Sequence, residues 1–204
     1  MRRQQSFETE SVLELSPDLV RWESVYEKLF GHKPNLSQIV VPAKPEGQGP
    51  MRLIVILRGI IELTGNHPLQ GTMDALKEHF PCWQYTNNLD ESIVRNDRDP
   101  QNGSYAVWVK DVREADDENA NKSANDLSKE NRQSITVLER MLLEADYFFE
   151  HGEHMDQQNL TLCAGSRDYG GDVPGACWNV GKFKFFWCYP TFRYPIFRSR
   201  SMNL

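Results

Sequence analysis

A chain of 204 residues with a formal net charge of −6 and a pI near 5.4 repels nucleic acid and anionic lipid, so binding either would require a local basic patch. Hydrophobic residues at 39% and aromatics at 11% suffice for one filled core, which at this length buries roughly 70% of the unfolded chain's surface and excludes a disordered polypeptide. The longest aliphatic run, Leu53-Ile54-Val55-Ile56-Leu57, falls far short of the roughly 20 residues that span a bilayer, so no membrane partner is expected.

At the start of the chain, Arg2 and Arg3 are followed by Glu8, Glu10 and Glu14 where a signal peptide needs an apolar core, and the expectation is a cytoplasmic protein. Residues 1–15 are polar and aperiodic and predict a loose start. Ser16-Pro17 has the form of an N-cap followed by proline at the first helical position, and Leu19, Trp22, Val25, Tyr26, Leu29 and Phe30 follow at helical spacing until Gly31. Residues 38–41 predict a short strand, and 42–50 a breaker-rich linker. Residues 1–50 are therefore expected to be an N-terminal helix and Pro/Gly-rich linker, an appendage to a single core domain over 51–204.

The run 53–57, closed by Gly59, predicts a buried strand, and Met73, Leu76, Lys77 and Phe80 a short helix ended by Pro81. Trp83 and Tyr85 alternate as in a strand, while 90–95 predicts one helical turn. Asp99-Pro100-Gln101-Asn102-Gly103 is turn chemistry before a strand from Ser104. The acidic stretch 116–131 predicts a surface excursion. From Ser134, the residues Ile135, Leu138, Met141, Leu142, Ala145, Phe148 and Phe149 form an apolar stripe, with Glu139, Arg140, Glu144 and Glu150 outside it, and Gly152 ends this central helix. The last third alternates with period two, through Leu160, Leu162 and Ala164 and then Phe183, Phe185, Trp187 and Tyr189, around a hairpin turn at Asn179-Val180-Gly181. The fold class read from this order is α+β, with mixed α/β as the alternative: a small mixed or antiparallel sheet packed by helices, with a C-terminal β-hairpin.

Acids gather at both ends of the 104–110 strand: Asp97 and Asp99 beside Arg98 before it, Asp111 and Glu114 after it. Such oxygens can hold a hard cation or share a proton, but the strand holds its two ends roughly 20 Å apart, too far to share one ion. Solvated loop acids are the plain alternative. The glycine-rich stretch Cys163-Ala164-Gly165-Ser166-Arg167-Asp168-Tyr169-Gly170-Gly171 offers backbone amides, a hydroxyl and a forked donor to phosphate or carboxylate, yet lacks the spacing of a P-loop. His151 and His154 near Asp156 invite a zinc reading but lack the paired knuckles of structural sites, so no metal is assigned. Cys82, Cys163, Cys177 and Cys188 are not in CxxC pairs and are expected to be free thiols. The C-terminal cations Lys182, Lys184, Arg193, Arg198 and Arg200 interleave with aromatics, as single-stranded nucleic acid would require, or pair with the acidic stretch 111–118 in the same or a neighbouring molecule.

Asn96-Asp97-Arg98-Asp99-Pro100, Gly103-Ser104-Tyr105-Ala106-Val107-Trp108-Val109, Glu114-Ala115-Asp116, the stretch 136–140 and Leu160-Thr161-Leu162-Cys163-Ala164-Gly165-Ser166-Arg167 together resemble a family of bacterial hypothetical proteins with no assigned function. The resemblance covers roughly 53–200 and implies a bacterial intracellular origin, without bringing a catalytic residue or cofactor. The functional expectation is an accessory or interaction domain that recognises a protein partner or a small anionic ligand, or self-associates, using Asp97, Arg98, Asp99, Asp111, Glu114, Ser166 and Arg167. The alternative is a hydrolase or transferase in which Arg98 and Arg167 hold a phosphorylated substrate and Asp97 or Asp99 serves as base or metal ligand. A nucleic-acid-associated protein rests only on the basic aromatic end.

Overall fold

The computed structural model describes residues 15–204, so the expected loose start and the reading of residues 2–14 against a signal peptide lie outside the described residues. In chain order the helices and strands are α1 (Pro17–Phe30), β1 (Met51–Ile56), α2 (Ile60–Leu63), α3 (Pro68–Lys77), β2 (Cys82–Gln84), α4 (Leu89–Ser92), β3 (Ile93–Asn96), β4 (Tyr105–Lys110), α5 (Ala124–Lys129), α6 (Val137–His151), β5 (Leu160–Leu162), β6 (Ser166–Asp168), β7 (Val173–Asn179), β8 (Lys182–Cys188) and β9 (Phe197–Arg198). The class is α+β. None of the described helices is long and apolar enough to cross a membrane.

Helix α1 begins and ends where its caps dictate: the Ser16 hydroxyl accepts from the Leu19 amide, and Gly31, at φ 68°, donates to the Glu27 carbonyl. It is packed on the core rather than set apart from it. The Trp22 indole donates to the Leu53 carbonyl at 2.7 Å and the Tyr26 hydroxyl to the Val55 carbonyl at 3.2 Å, which closes the exposed edge of β1. No strand forms at 38–41, because the Ile39 amide closes a turn onto Leu36, whose side chain is fully buried. The linker lies against the ribbon, where the Trp108 indole donates to the Pro42 carbonyl at 2.9 Å.

Strands β1 and β4 pair antiparallel from Met51↔Lys110 to Ile56↔Tyr105, and Asn203 adds a bridge on the far side of Trp108. The larger sheet has the order β2-β8-β7-β5-β9; β7 is antiparallel to both β8 and β5, while β2 runs parallel to β8 and β9 to β5. Its inner face presents Ala176, Phe183 and Phe185 to the main core. Its outer face carries Val173, Cys177, Cys188, Leu160 and Leu162, which form a second cluster with Ala124 and Leu127 of α5. The stretch 116–131 is therefore partly interior: Asn119 donates to the Ser199 carbonyl at 2.9 Å, and Asp116 accepts from the Ser201 amide at 2.7 Å.

Helix α6 is the centre of the molecule. Thr136 caps its start and Glu139 returns to the Thr136 amide in a capping box, while Gly152, at φ 67°, closes its end. The apolar stripe is buried from Ile135 to Ala145 and partly buried at Phe148 and Phe149, but Glu139, Arg140 and Glu144 are also fully buried instead of facing water. The cause is enclosure from both sides: β1 and α1 on one flank, and the 134–136 turn, Asp156 and the C-terminal tail on the other, leave charged side chains no route to solvent except through partners.

Candidate functional site

All seven residues singled out from the sequence hold hydrogen bonds or ion pairs within the fold, and of the two arginines among them Arg98 has a carboxylate partner while Arg167 has none among the described residues. Arg98 is bidentate to Glu139, Nε to Oε1 at 2.6 Å and Nη2 to Oε2 at 2.8 Å, and also donates to the Ser134 carbonyl. Burial alone would weaken its charge, but the Glu139 carboxylate outweighs that and holds the guanidinium ionised. Asp99 accepts from the Gln101 amide at 2.8 Å and starts the short 3-10 turn Pro100–Asn102. Asp111 accepts from Arg52 Nε at 2.7 Å at the far end of β4. Glu114 clamps a loop, its two oxygens accepting from the amides of Gln157 at 3.0 Å, Gln158 at 3.2 Å and Asn159 at 3.0 Å. Ser166 is fully buried; its hydroxyl donates to Asn96 Oδ1 at 2.6 Å and accepts from the Val137 amide at 3.0 Å, in the first turn of α6.

Asp97 and Arg167 meet. Together with Arg95, Arg132 and Gln133 they line a polar cleft of about 190 Å³ bounded by α5 and the 131–134 segment. The meeting follows from the pairing of β3 with β6, in which Arg95 lies opposite Arg167 and Asn96 opposite Ser166, extended by the Asp97 amide donating to the Gly165 carbonyl at 2.8 Å. Glycine is required at 165, since a Cβ there would stand 2.6 Å from the Ser134 carbonyl oxygen. That close approach presses β6 onto the N-terminal end of α6 and fixes where Arg167 emerges.

The electrostatics of the cleft are unusual. Two arginines directly opposite each other on paired strands repel, and such pairs are ordinarily selected against. Arg95 reaches Asp97 at 3.3 Å, and Arg132 Nε bonds Glu130 at 2.7 Å. Arg167, half-buried, forms no ion pair among the described residues; its Nη1 donates only to the carbonyls of Ala164 and Ser166. Burial therefore pulls its guanidinium below the ordinary arginine value and Arg95 adds to the effect, with Asp97 only partly opposing it. The lining holds three arginines against one aspartate, a local positive excess in an acidic protein. Arg95 and Arg132 were not singled out from the sequence. The alternation of Arg95 with Asp97 would have flagged the former, but only with 93–96 read as a strand instead of a helical turn.

The remaining candidates are absorbed by the interior. Asp156 accepts from Arg140 Nε at 3.0 Å, Arg200 Nη2 at 2.7 Å and the Thr161 hydroxyl at 2.6 Å, while Glu144 takes Arg140 Nη1 at 2.7 Å and His154 Nδ1 at 2.9 Å. His154 stacks flat on Trp178, ring centres 3.3 Å apart, and His151 Nε2 lies 3.2 Å from Arg52. Among the described residues no three His, Cys, Asp or Glu side chains are grouped so as to hold a metal ion. All four cysteines are free, and burial pushes the thiol pKa up to about 11 for Cys177 and about 12 for Cys82 and Cys188. Of the C-terminal cations, Arg198 pairs with Asp117 of the 111–118 stretch, while Arg193 pairs with Asp126 of α5 and Arg200 with the buried Asp156. Comparison with protein-family models, curated proteins and solved structures yields no match, so the chemistry of the cleft is read from its own residues.

Proposed function

We propose that the protein is a bacterial cytosolic accessory domain that recognises an anionic group, phosphate or carboxylate, on a small ligand or a protein partner, through the cleft between β3 and β6. The observation that carries this reading is Arg167: a half-buried guanidinium facing Arg95 across the strand pair, with no carboxylate of its own. A fork-shaped donor held in this way matches two oxygens of a phosphate or carboxylate, and an arriving anion would relieve the repulsion between the two arginines. The catalytic alternative has less support. A hydrolase or transferase using Arg98 and Arg167 together with Asp97 or Asp99 needs them at one point, and Arg98 is committed to Glu139 while Asp99 caps a turn. Asp97 alone provides neither a second acid nor a metal pair.

The test is a thermal-denaturation titration of the full chain with phenyl phosphate and, separately, succinate. A ligand at a hundred times its dissociation constant adds roughly 2.7 kcal/mol of stability. We expect one of the two anions to raise the melting temperature, the rise to shrink with added salt, and Arg167→Ala to abolish it while the ligand-free melting temperature is kept. No rise with either anion, or an equal rise in Arg167→Ala and Arg95→Ala, refutes the assignment.

A further inference from the structure

We propose that the crevice between the outer face of the large sheet and the segment 189–197 is a second binding site, for a small, uncharged aromatic molecule. After Cys188 the chain leaves β8, arches over the sheet and returns as β9, and beneath the arch lies a cavity of about 430 Å³. Cys177, Phe186 and Cys188 lie on its floor side, while Tyr189, Phe192 and Ile196 come from the arch. A volume of this order lies within the roughly 300–1,000 Å³ of small-molecule sites. No residue lines both this cavity and the arginine cleft.

Three observations choose the occupant. The arch leaves Tyr189 64%, Phe192 57% and Ile196 44% exposed, apolar surface that a filled crevice would cover. Charge is absent from the walls in any usable form: the Asp156 carboxylate is turned to Arg140, Arg200 and Thr161, and the two thiols are held protonated by burial. An ionised ligand would enter without a counter-charge, which the low polarity of the site penalises. The mouth carries the neutral amides of Gln157, Gln158 and Asn159, suited to a single polar edge. Glu114 fixes the backbone that carries them, accepting from the main-chain amides of all three and from the Asn159 side chain, which gives that residue a reason to be where it is.

The crevice is also preformed. Arg193 in the middle of the arch is bidentate to Asp126 of α5 at 2.7 and 2.6 Å, the Asn125 amide donates to the Pro190 carbonyl at 3.0 Å, and the Leu160 amide to the Ile196 carbonyl at 2.9 Å. A site held open in this way binds without the cost of ordering a loop.

The probe is N-phenyl-1-naphthylamine, a neutral two-ring fluorophore, titrated into the full chain. We expect saturable fluorescence enhancement, lost by about fivefold or more in affinity in Phe192→Ala, as for a central aromatic contact. Phe192→Asp, which puts a carboxylate on the arch, and Ile196→Trp, which fills the crevice, should each weaken it by at least about tenfold, or 1.4 kcal/mol. Both positions are solvent-exposed, and an unchanged melting temperature of each variant shows that folding is intact. The anionic relative 8-anilino-1-naphthalenesulfonate should fail to displace the neutral probe at equal concentration. Absence of saturable binding, parental affinity in both crevice variants, or equal displacement by the sulfonate overturns the proposal. So does a dimer in sedimentation that Phe192→Asp converts to monomer, which would give the crevice to a second copy of the chain.

Discussion

The arginines around Asp156 and those around Arg167 are the same residue type in opposite circumstances. In the first region Arg140 and Arg200, both without solvent exposure, face the carboxylates of Asp156 and Glu144, so each buried charge has a counterpart. In the second, Arg95, Arg132 and Arg167 share a cleft whose own carboxylate is Asp97 alone. Matched guanidinium groups join α6, the turn at Asp156 and the C-terminal tail, and their worth is read in folding. Arg167, the one of the three without an ion pair among the described residues, contributes little to folding and leaves donors directed at whatever enters. An arginine becomes a candidate for function through the absence of an internal carboxylate to pair with, which a list of residue types does not reveal.

The largest expected effect breaks the first region. Asp156→Ala leaves Arg140 and Arg200 buried without the carboxylate between them, and removing one partner of such a set costs about 3–5 kcal/mol out of a total near 5–15 kcal/mol. Urea denaturation monitored by tryptophan fluorescence measures it; a loss under about 1 kcal/mol would mean that water reaches the cluster and the contrast is false.

A pH titration probes the same residue more gently. Burial would push the Asp156 carboxyl up, but Arg200 and Arg140 outweigh it and hold the group below its ordinary value of 3.8. A carboxylate more acidic in the folded than in the unfolded chain contributes stability that is complete above the unfolded value and is lost as pH falls through the folded one. Stability should thus decline below about pH 4, and Asp156→Asn, with no proton to take up, should decline less steeply over that window.

A paired substitution then sets the two regions side by side. Arg98→Met leaves the buried Glu139 without its bidentate partner and should cost about 2–3 kcal/mol, whereas Arg167→Met should stay within about 0.5 kcal/mol of the parent. Equal losses would erase the distinction on which the cleft assignment depends.

The legible parts of this molecule are those whose signal is local. The 3.6-residue stripe of α6, its stop at Gly152, the Ser16-Pro17 start of α1 and the two-residue alternation of β8 around the 179–181 turn are written in neighbouring residues, and all formed. What neighbouring residues do not carry is enclosure. The stripe tells which side of α6 is apolar, not that Glu139, Arg140 and Glu144 opposite it would be roofed by other elements. Tyr26 and Trp22 looked like the greasy side of an outlying helix, because their acceptors, the Val55 and Leu53 carbonyls, lie about 30 residues away along the chain. The cleft suffered most. Asp97 and Arg167 are visible as residues, but the three-residue pairing of β3 with β6 that joins them, and sets Arg95 opposite Arg167, has no local signature.

A modest gain in stability belongs to neither region and serves to measure both. Val180 occupies the first position of the β7-β8 turn at φ 50°, followed by Gly181 at φ 68°, the backbone of a type I′ turn in which asparagine is favoured and a β-branched residue is strained. Its side chain is 83% exposed, so little packing is lost when it is replaced. Val180→Asn should raise stability by about 1 kcal/mol, measured by the same urea denaturation. Sites without shared partners add within about 0.3–0.5 kcal/mol, so the gain should recur unchanged in Arg98→Met and Arg167→Met. It should recur in Asp156→Ala as well, because the Trp178 amide two residues before the turn donates to the backbone carbonyl of Asp156, an acceptor that the substitution leaves in place.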